Sequence, residues 1–163
     1  MQQDDQQPAQ GAVLLDMDGV ICENTLRREY GDDRDYALFG RRCANAAPRM
    51  DFIAFAQALK YDNVAVFILT ARSEKLRAKT MAWLKSYKVP VDELLMRPLG
   101  NREPDTVLKR KMLTVLRRKH QLNQPFGPTA LLAVDDNEDV VKMYQEEGLA
   151  ACLAGTWPWG QIW

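Results

Sequence analysis

Residues 12–20 read Ala12-Val13-Leu14-Leu15-Asp16-Met17-Asp18-Gly19-Val20, an apolar run that ends abruptly in two carboxylates and a glycine. A short, wholly apolar run is the mark of a strand buried on both faces, and such strands belong to parallel sheets covered by helices. Outward from this stretch the pattern repeats. Val64–Thr70, Val91–Met96 and Ala130–Asp135 are further strand-length runs, and Leu149–Leu153 is a weaker fifth. Between them the spacing predicts helices over Pro48–Tyr61, Ser73–Tyr87, Asp105–His120 and Asn137–Glu147. The last has Asn as a cap, acids in its first turn and Gly148 as its stop. Alternating strands and helices predict an α/β fold: three Rossmann-like layers around a mostly parallel five-stranded sheet.

In such sheets ligands sit beyond the carboxyl ends of the strands. Those ends present Asp16 and Asp18, Thr70 with Arg72, and Asp135 with Asp136. Four carboxylates gathered at one rim repel one another and are costly to desolvate without a cation. An oxygen-only donor set, with no Cys or His on offer, favours Mg²⁺ over zinc. Beside a metal, one carboxylate can attack phosphorus and a second can handle the proton of the leaving oxygen. A hydroxyl and a cation for the phosphoryl oxygens complete the requirement, and Thr70 and Lys109 fit it.

The order DMDGV (16–20), strand-ending Thr70, helix-borne Lys109 and the 135–136 Asp pair resembles the haloacid dehalogenase (HAD) phosphohydrolases. Receiver domains use the same residue types, but there the acidic pair comes early and the lysine last. The resemblance implies Asp16 as nucleophile, Asp18 as acid and base, and Thr70 and Lys109 on the phosphoryl group. It also implies Mg²⁺ held by Asp16, the Asp18 carbonyl, Asp135 and Asp136, with Gly19 in the substrate-binding turn.

Three stretches further resemble the phosphatase half of phage-type polynucleotide kinase–phosphatases. They are Thr70-Ala71-Arg72, the span from Arg97 to Asp105-Thr106-Val107-Leu108-Lys109, and Asp135-Asp136 with Val140-Val141, Met143-Tyr144 and Gly148. That resemblance implies removal of 3′-phosphates from DNA or RNA ends or from nucleotides. No GxxxxGK[ST] loop occurs, so kinase chemistry would come from a separate kinase, and a ligase is a further expected partner. Two other readings stand beside it: a small-molecule phosphatase such as a nucleotidase, and a non-catalytic module that binds nucleic acid ends or a protein.

The 163 residues suffice for one domain over 11–163 behind a polar, Gln-rich tail at 1–10, expected to be disordered. Lys plus Arg and Asp plus Glu both number 22, which excludes a wholesale polycation. Scattered Cys22, Cys43 and Cys152, with no apolar leader or spanning run, predict a soluble cytoplasmic protein with reduced thiols. Charge is uneven: eight basic side chains against two acids over 97–120, then one against six over 121–163. The basic stretch reads either as a solvated helix face or as countercharge for a nucleic acid backbone.

Cap domains in such folds follow the first or third strand. Here Cys22–Ala47, about 26 irregular residues, and Arg97–Pro104, about eight, are too short for a lid domain, so an open site is expected. Arg72 reads either as the partner of a surface acid or, beside a phosphate site, as a forked guanidinium on the substrate phosphate, where it is expected. Arg27, Arg28, Arg34, Arg41 and Arg42 are further possible substrate contacts. Asp139 reads as a first-turn acid, His120 as a surface residue, Cys22 and Cys152 as packing. Trp157, Trp159 and Trp163 are expected to fold back on the domain.

Overall fold

The computed structural model describes residues 9–24, 40, 43–125 and 127–156. The Arg27–Arg42 contacts, most of the 1–10 tail and Trp157–Trp163 therefore lie outside the described residues. Of the tail, Gln10 is in place, its carbonyl accepting from Thr129 N at 2.9 Å.

The five strands are β1 (Gly11–Leu15), β2 (Val64–Ser73), β3 (Glu93–Arg97), β4 (Thr129–Asp135) and β5 (Ala151–Leu153), in spatial order β3-β2-β1-β4-β5. Every neighbouring pair is parallel. Among the described residues the main helices are α1 (Met50–Tyr61), α2 (Arg77–Ser86), α3 (Asp105–Lys119) and α4 (Glu138–Glu146).

Two cores sandwich the sheet. Val13, Leu15, Val66 and Ile68 pack with Phe52 and Ile53 of α1 and with Trp83 and Leu84 of α2. Ala12, Leu14, Phe67 and Leu69 pack with Leu108, Met112 and Leu116 of α3 and with Val140 and Tyr144 of α4. Alternate residues of one strand thus serve opposite faces, which explains why buried strands are apolar throughout.

Two irregularities bear on the site. Between β1 and β4 the register jumps after Ala12, so that Val13 pairs with Leu132 and Leu15 with Val134. Leu131 is the extra residue, and it is exposed. Beyond it the ladder continues with Asp16 N donating to Val134 O at 3.0 Å. Between β2 and β3, Thr70 pairs with Met96 but Ser73 with Arg97, leaving Ala71 and Arg72 as a bulge.

The expected helix over Ser73–Tyr87 begins later. β2 runs through Ser73, whose Oγ accepts from Lys75 N and caps a 3-10 turn (Glu74–Leu76) before α2 starts at Arg77. Asn137 caps α4 as the spacing predicts, its Oδ1 accepting from Asp139 N at 3.0 Å. Among the described residues, no helix is long and apolar enough to cross a membrane.

Candidate active site

The strand order reverses between β1 and β4, the place where α/β sheets open a crevice at their carboxyl edge. Asp16 follows β1 there, and Asp135 closes β4. Carboxylate oxygens of Asp16, Asp135 and Asp136 lie within 4.8 Å of one another. Parity explains the pairing, because Asp16 and Asp135 continue the alternation that points Leu14 and Ala133 toward α3 and α4. From α3, Lys109 Nζ reaches both, at 3.0 Å from Asp16 Oδ1 and 2.5 Å from Asp135 Oδ2. Burial disfavours this ammonium, but Asp16 and Asp135 outweigh it and hold its pKa above the usual lysine value. Burial likewise lifts Asp135 above the ordinary carboxylate range, and Lys109 draws it only partly back. Tyr144 packs behind the pair, fully buried, its phenol pushed up by desolvation.

Three carboxylates against one ammonium leave an excess of negative charge on a largely buried set of hard oxygen donors. That composition suits a divalent cation such as Mg²⁺, so the residues fit the metal implied above. The carboxylate of Asp18 is not among the converging oxygens.

Asp18 is occupied elsewhere. Arg72 Nε donates to its Oδ2 at 2.9 Å and Nη2 to its Oδ1 at 2.6 Å, a buried two-pronged pair. Arg72 Nη1 also reaches Thr80 Oγ1 at 3.4 Å, and Nη2 reaches Cys22 Sγ at 3.4 Å. With Ala71 and Arg72 in the bulge, the buried guanidinium spends its Nε and Nη2 donors on Asp18, just beyond β1. Thr70 is fully buried, its Oγ1 accepting from Arg72 N at 3.2 Å.

The turn after β1 folds back on itself. Ile21 N and Cys22 N donate to Met17 O, and Gly19 N donates to Cys22 O at 2.7 Å. Gly19 has φ +86°, and a Cβ there would meet the Asp136 side chain at 2.4 Å. Only glycine relieves both constraints. Gly19→Ala is expected to displace Asp136 and to lower turnover about a hundredfold, the scale of an ångström-sized misplacement in an active site. Kinetics together with a melting curve check this; unchanged kcat would show that Asp136 tolerates the shift.

Several contributors carried no legible functional signal in the sequence. Asn24 Nδ2 hydrogen-bonds Asp136 Oδ2, and Arg49 Nη1 donates to Gly19 O at 2.8 Å. Arg97 binds Ala71 O, Asn101 Oδ1, Glu103 O and Asp105 Oδ1, tying the β3–α3 loop to the helix that carries Lys109. Asn24 and Arg49 flank an aperiodic stretch that offers no pattern to read, whereas Arg97 and Tyr144 stood in the quoted motifs without a structural role.

The basic stretch over 97–120 is largely neutralised by partners distant in sequence. Arg110 pairs with Glu146 and Glu147, Lys111 with Glu103, Arg117 with Glu147 and Lys119 with Glu93. For those side chains the solvated-face reading holds. His120 is half-buried, 3.0 Å from Glu93 and packed against the Phe67 ring, not a plain surface residue. Asp139 is exposed in the first turn of α4, outside the carboxylate cluster.

A doubly covered parallel sheet with this acidic crevice is the architecture of HAD-type phosphatases. Solved structures agree on the fold. The chain overlays a subunit of the Pnkp1/Rnl/Hen1 complex with TM-score 0.70 at 21% identity, covering 91% of this chain and 47% of that one. It overlays a putative HAD-like phosphatase from Mesorhizobium loti with TM-score 0.61 at 18% identity, covering 90% and 73%. It also overlays a D,D-heptose 1,7-bisphosphate phosphatase from B. bronchiseptica, solved with magnesium and phosphate, with TM-score 0.54 at 17% identity, covering 88% and 79%. The family model for the polynucleotide kinase PNKP phosphatase domain matches residues 10–154, and the chain belongs to that family. The chain spans about half the length of the subunit of that complex which it overlays. No curated protein matches it.

Proposed function

We propose that this protein is a Mg²⁺-dependent phosphomonoesterase that removes 3′-phosphates from DNA or RNA ends through an aspartyl-phosphate. The observation that carries the reading is Asp16 placed at the switch point within ion-pair reach of Lys109 and beside Asp135 and Asp136. The family of the chain and its likeness to subunits of an RNA repair complex support the choice of substrate.

An Asp16 oxygen attacks phosphorus, forming one P–O bond as the bond to the 3′ oxygen breaks. Asp18 donates a proton to that departing oxygen. It then takes a proton from a water that attacks the aspartyl-phosphate, which releases inorganic phosphate and restores Asp16. Lys109 and the Thr70 hydroxyl bind phosphoryl oxygens. Asp16, the Asp18 carbonyl, Asp135 and Asp136 would hold Mg²⁺, which supplies charge neutralisation for the transferring group. Arg72 is a positioning residue: its two-pronged grip fixes the orientation of Asp18. Asn24 and Gly19 set the place of Asp136. A separate kinase or ligase would prepare or seal the ends.

The neutralised face of α3 favours one second reading, a nucleotidase acting on mononucleotides. Comparing kcat/KM on a 3′-phosphorylated oligonucleotide, on 3′-mononucleotides and on p-nitrophenyl phosphate decides between them, with Mg²⁺ and with chelator. The oligonucleotide is expected to win by at least about tenfold, its advantage shrinking with salt, and chelation is expected to stop turnover. Equal efficiencies and a flat salt response would replace the polymer by the nucleotide.

A further inference from the structure

The rim around Asp16 is charged asymmetrically, and we infer from this that Lys75 and Arg102 form the track that holds the phosphodiester backbone next to the terminal 3′-phosphate. The inference rests on the polynucleotide reading above and assigns its recognition surface.

On the β4 side the crevice is bordered by Asp136 and by Glu138 and Asp139 in the first turn of α4. A polyanion is repelled there. On the β2–β3 side the acids are paired internally, Glu74 with Arg77, Glu103 with Lys111 and Asp105 with Arg97, which leaves cations in surplus. Ser73 and Arg97 are paired across the sheet, so the segments that follow them leave the carboxyl edge at the same level. Lys75 lies in one segment and Arg102 in the other, and both are exposed.

What separates these two cations from their neighbours at the carboxyl edge is that, among the described residues, their side chains have neither an acid nor a carbonyl partner. Arg110, Lys111, Arg117 and Lys119 spend their charge on glutamates, Arg77 on Glu74 and Arg49 on Asp51. Lys79 donates to Gly40 O at 2.7 Å. Among the described residues, no acid pairs with Lys75 or Arg102. A free exposed cation can exchange its counterion for a phosphate without first breaking an internal bond, which is the source of polyelectrolyte affinity.

Arg102 is also presented on a stiff support. Asn101 N donates to Pro98 O at 3.1 Å, closing a turn in which Gly100 takes φ +76°. Asn101 Nδ2 holds Glu103 at 2.8 Å, and Arg97 fastens Asn101, Glu103 and Asp105 from beneath. A cation held by such a loop loses little conformational freedom of the backbone when it binds. Arg118 is a matched control: exposed and without an acid partner among the described residues, but nine residues beyond Lys109 on α3, about 13 Å along the helix axis.

The test uses the full chain and the double variant Lys75→Gln/Arg102→Gln, with Arg118→Gln beside it. Steady-state kcat/KM is read on a 3′-phosphorylated oligonucleotide and on a 3′-mononucleotide over a range of salt. The double variant is expected to lose roughly tenfold on the oligonucleotide at low salt and nothing on the mononucleotide. Its salt slope should fall by about 1.4, or about 0.7 per lost single-strand contact. Arg118→Gln should leave both substrates unchanged. Equal losses on both substrates, or wild-type behaviour of the double variant on an oligonucleotide that the wild type does hydrolyse, would overturn the track while leaving the substrate class standing. A wild type that hydrolyses the mononucleotide but ignores the oligonucleotide would overturn both.

Discussion

Asp16→Asn is expected to abolish hydrolysis, lowering kcat by about 10⁴-fold or more, while the protein stays folded. The magnitude follows from the role: an amide oxygen is a poor nucleophile, and losing the group that forms the covalent bond forfeits the whole two-step route. The fold survives because the change is isosteric and Lys109 keeps its contact with Asp135 at 2.5 Å. Stability should therefore move by no more than about 1–2 kcal/mol. Rapid-quench trapping of ³²P on the protein gives a second readout: label stays with the wild type after denaturation and is absent from the variant. Retained turnover within tenfold of wild type would remove the covalent mechanism. Asp16→Ala, which cannot revert by deamidation, guards against a false residual rate.

Lys109→Met should damage both stability and activity. Its ammonium is fully buried between Asp16 and Asp135, and removing one member of a buried ion cluster leaves uncompensated charge, which costs roughly 3–5 kcal/mol. In a domain of this size that is a fall in Tm of at least about 6 °C, measured in chelator so that no divalent ion replaces the lost charge. Adding Asp135→Asn to the methionine variant removes part of the stranded charge and should recover part of the loss, without restoring turnover. A single variant as stable and as active as wild type would show that the ammonium is dispensable.

The strands and helices were legible because each obeys a period: unbroken apolar runs for doubly covered strands, three-to-four spacing for α1, α3 and α4. The clustering of Asp16, Lys109 and Asp135 was legible through motif order and the rule that α/β crevices open at strand ends. Arg72 was legible as a residue of the crevice rim, but its grip on Asp18 was not, because it depends on a two-residue bulge with no compositional mark. The pairing of the α3 cations was also hidden. Their glutamate partners lie about 25 to 40 positions away in sequence for all but Lys111, and contacts of that range are a property of packing, not of pattern.

Strand parity has an evolutionary consequence. Asp16 faces α3 because Leu14 and Ala12 do, so sliding β1 by a single residue would swing its carboxylate to the α1–α2 layer and invert a core along with it. The chemistry proposed for Asp16 is thereby welded to the scaffold and has little freedom to drift. The connections beyond β2 and β3 carry no such obligation, and lineages could retune which molecules are processed there without disturbing the reaction itself.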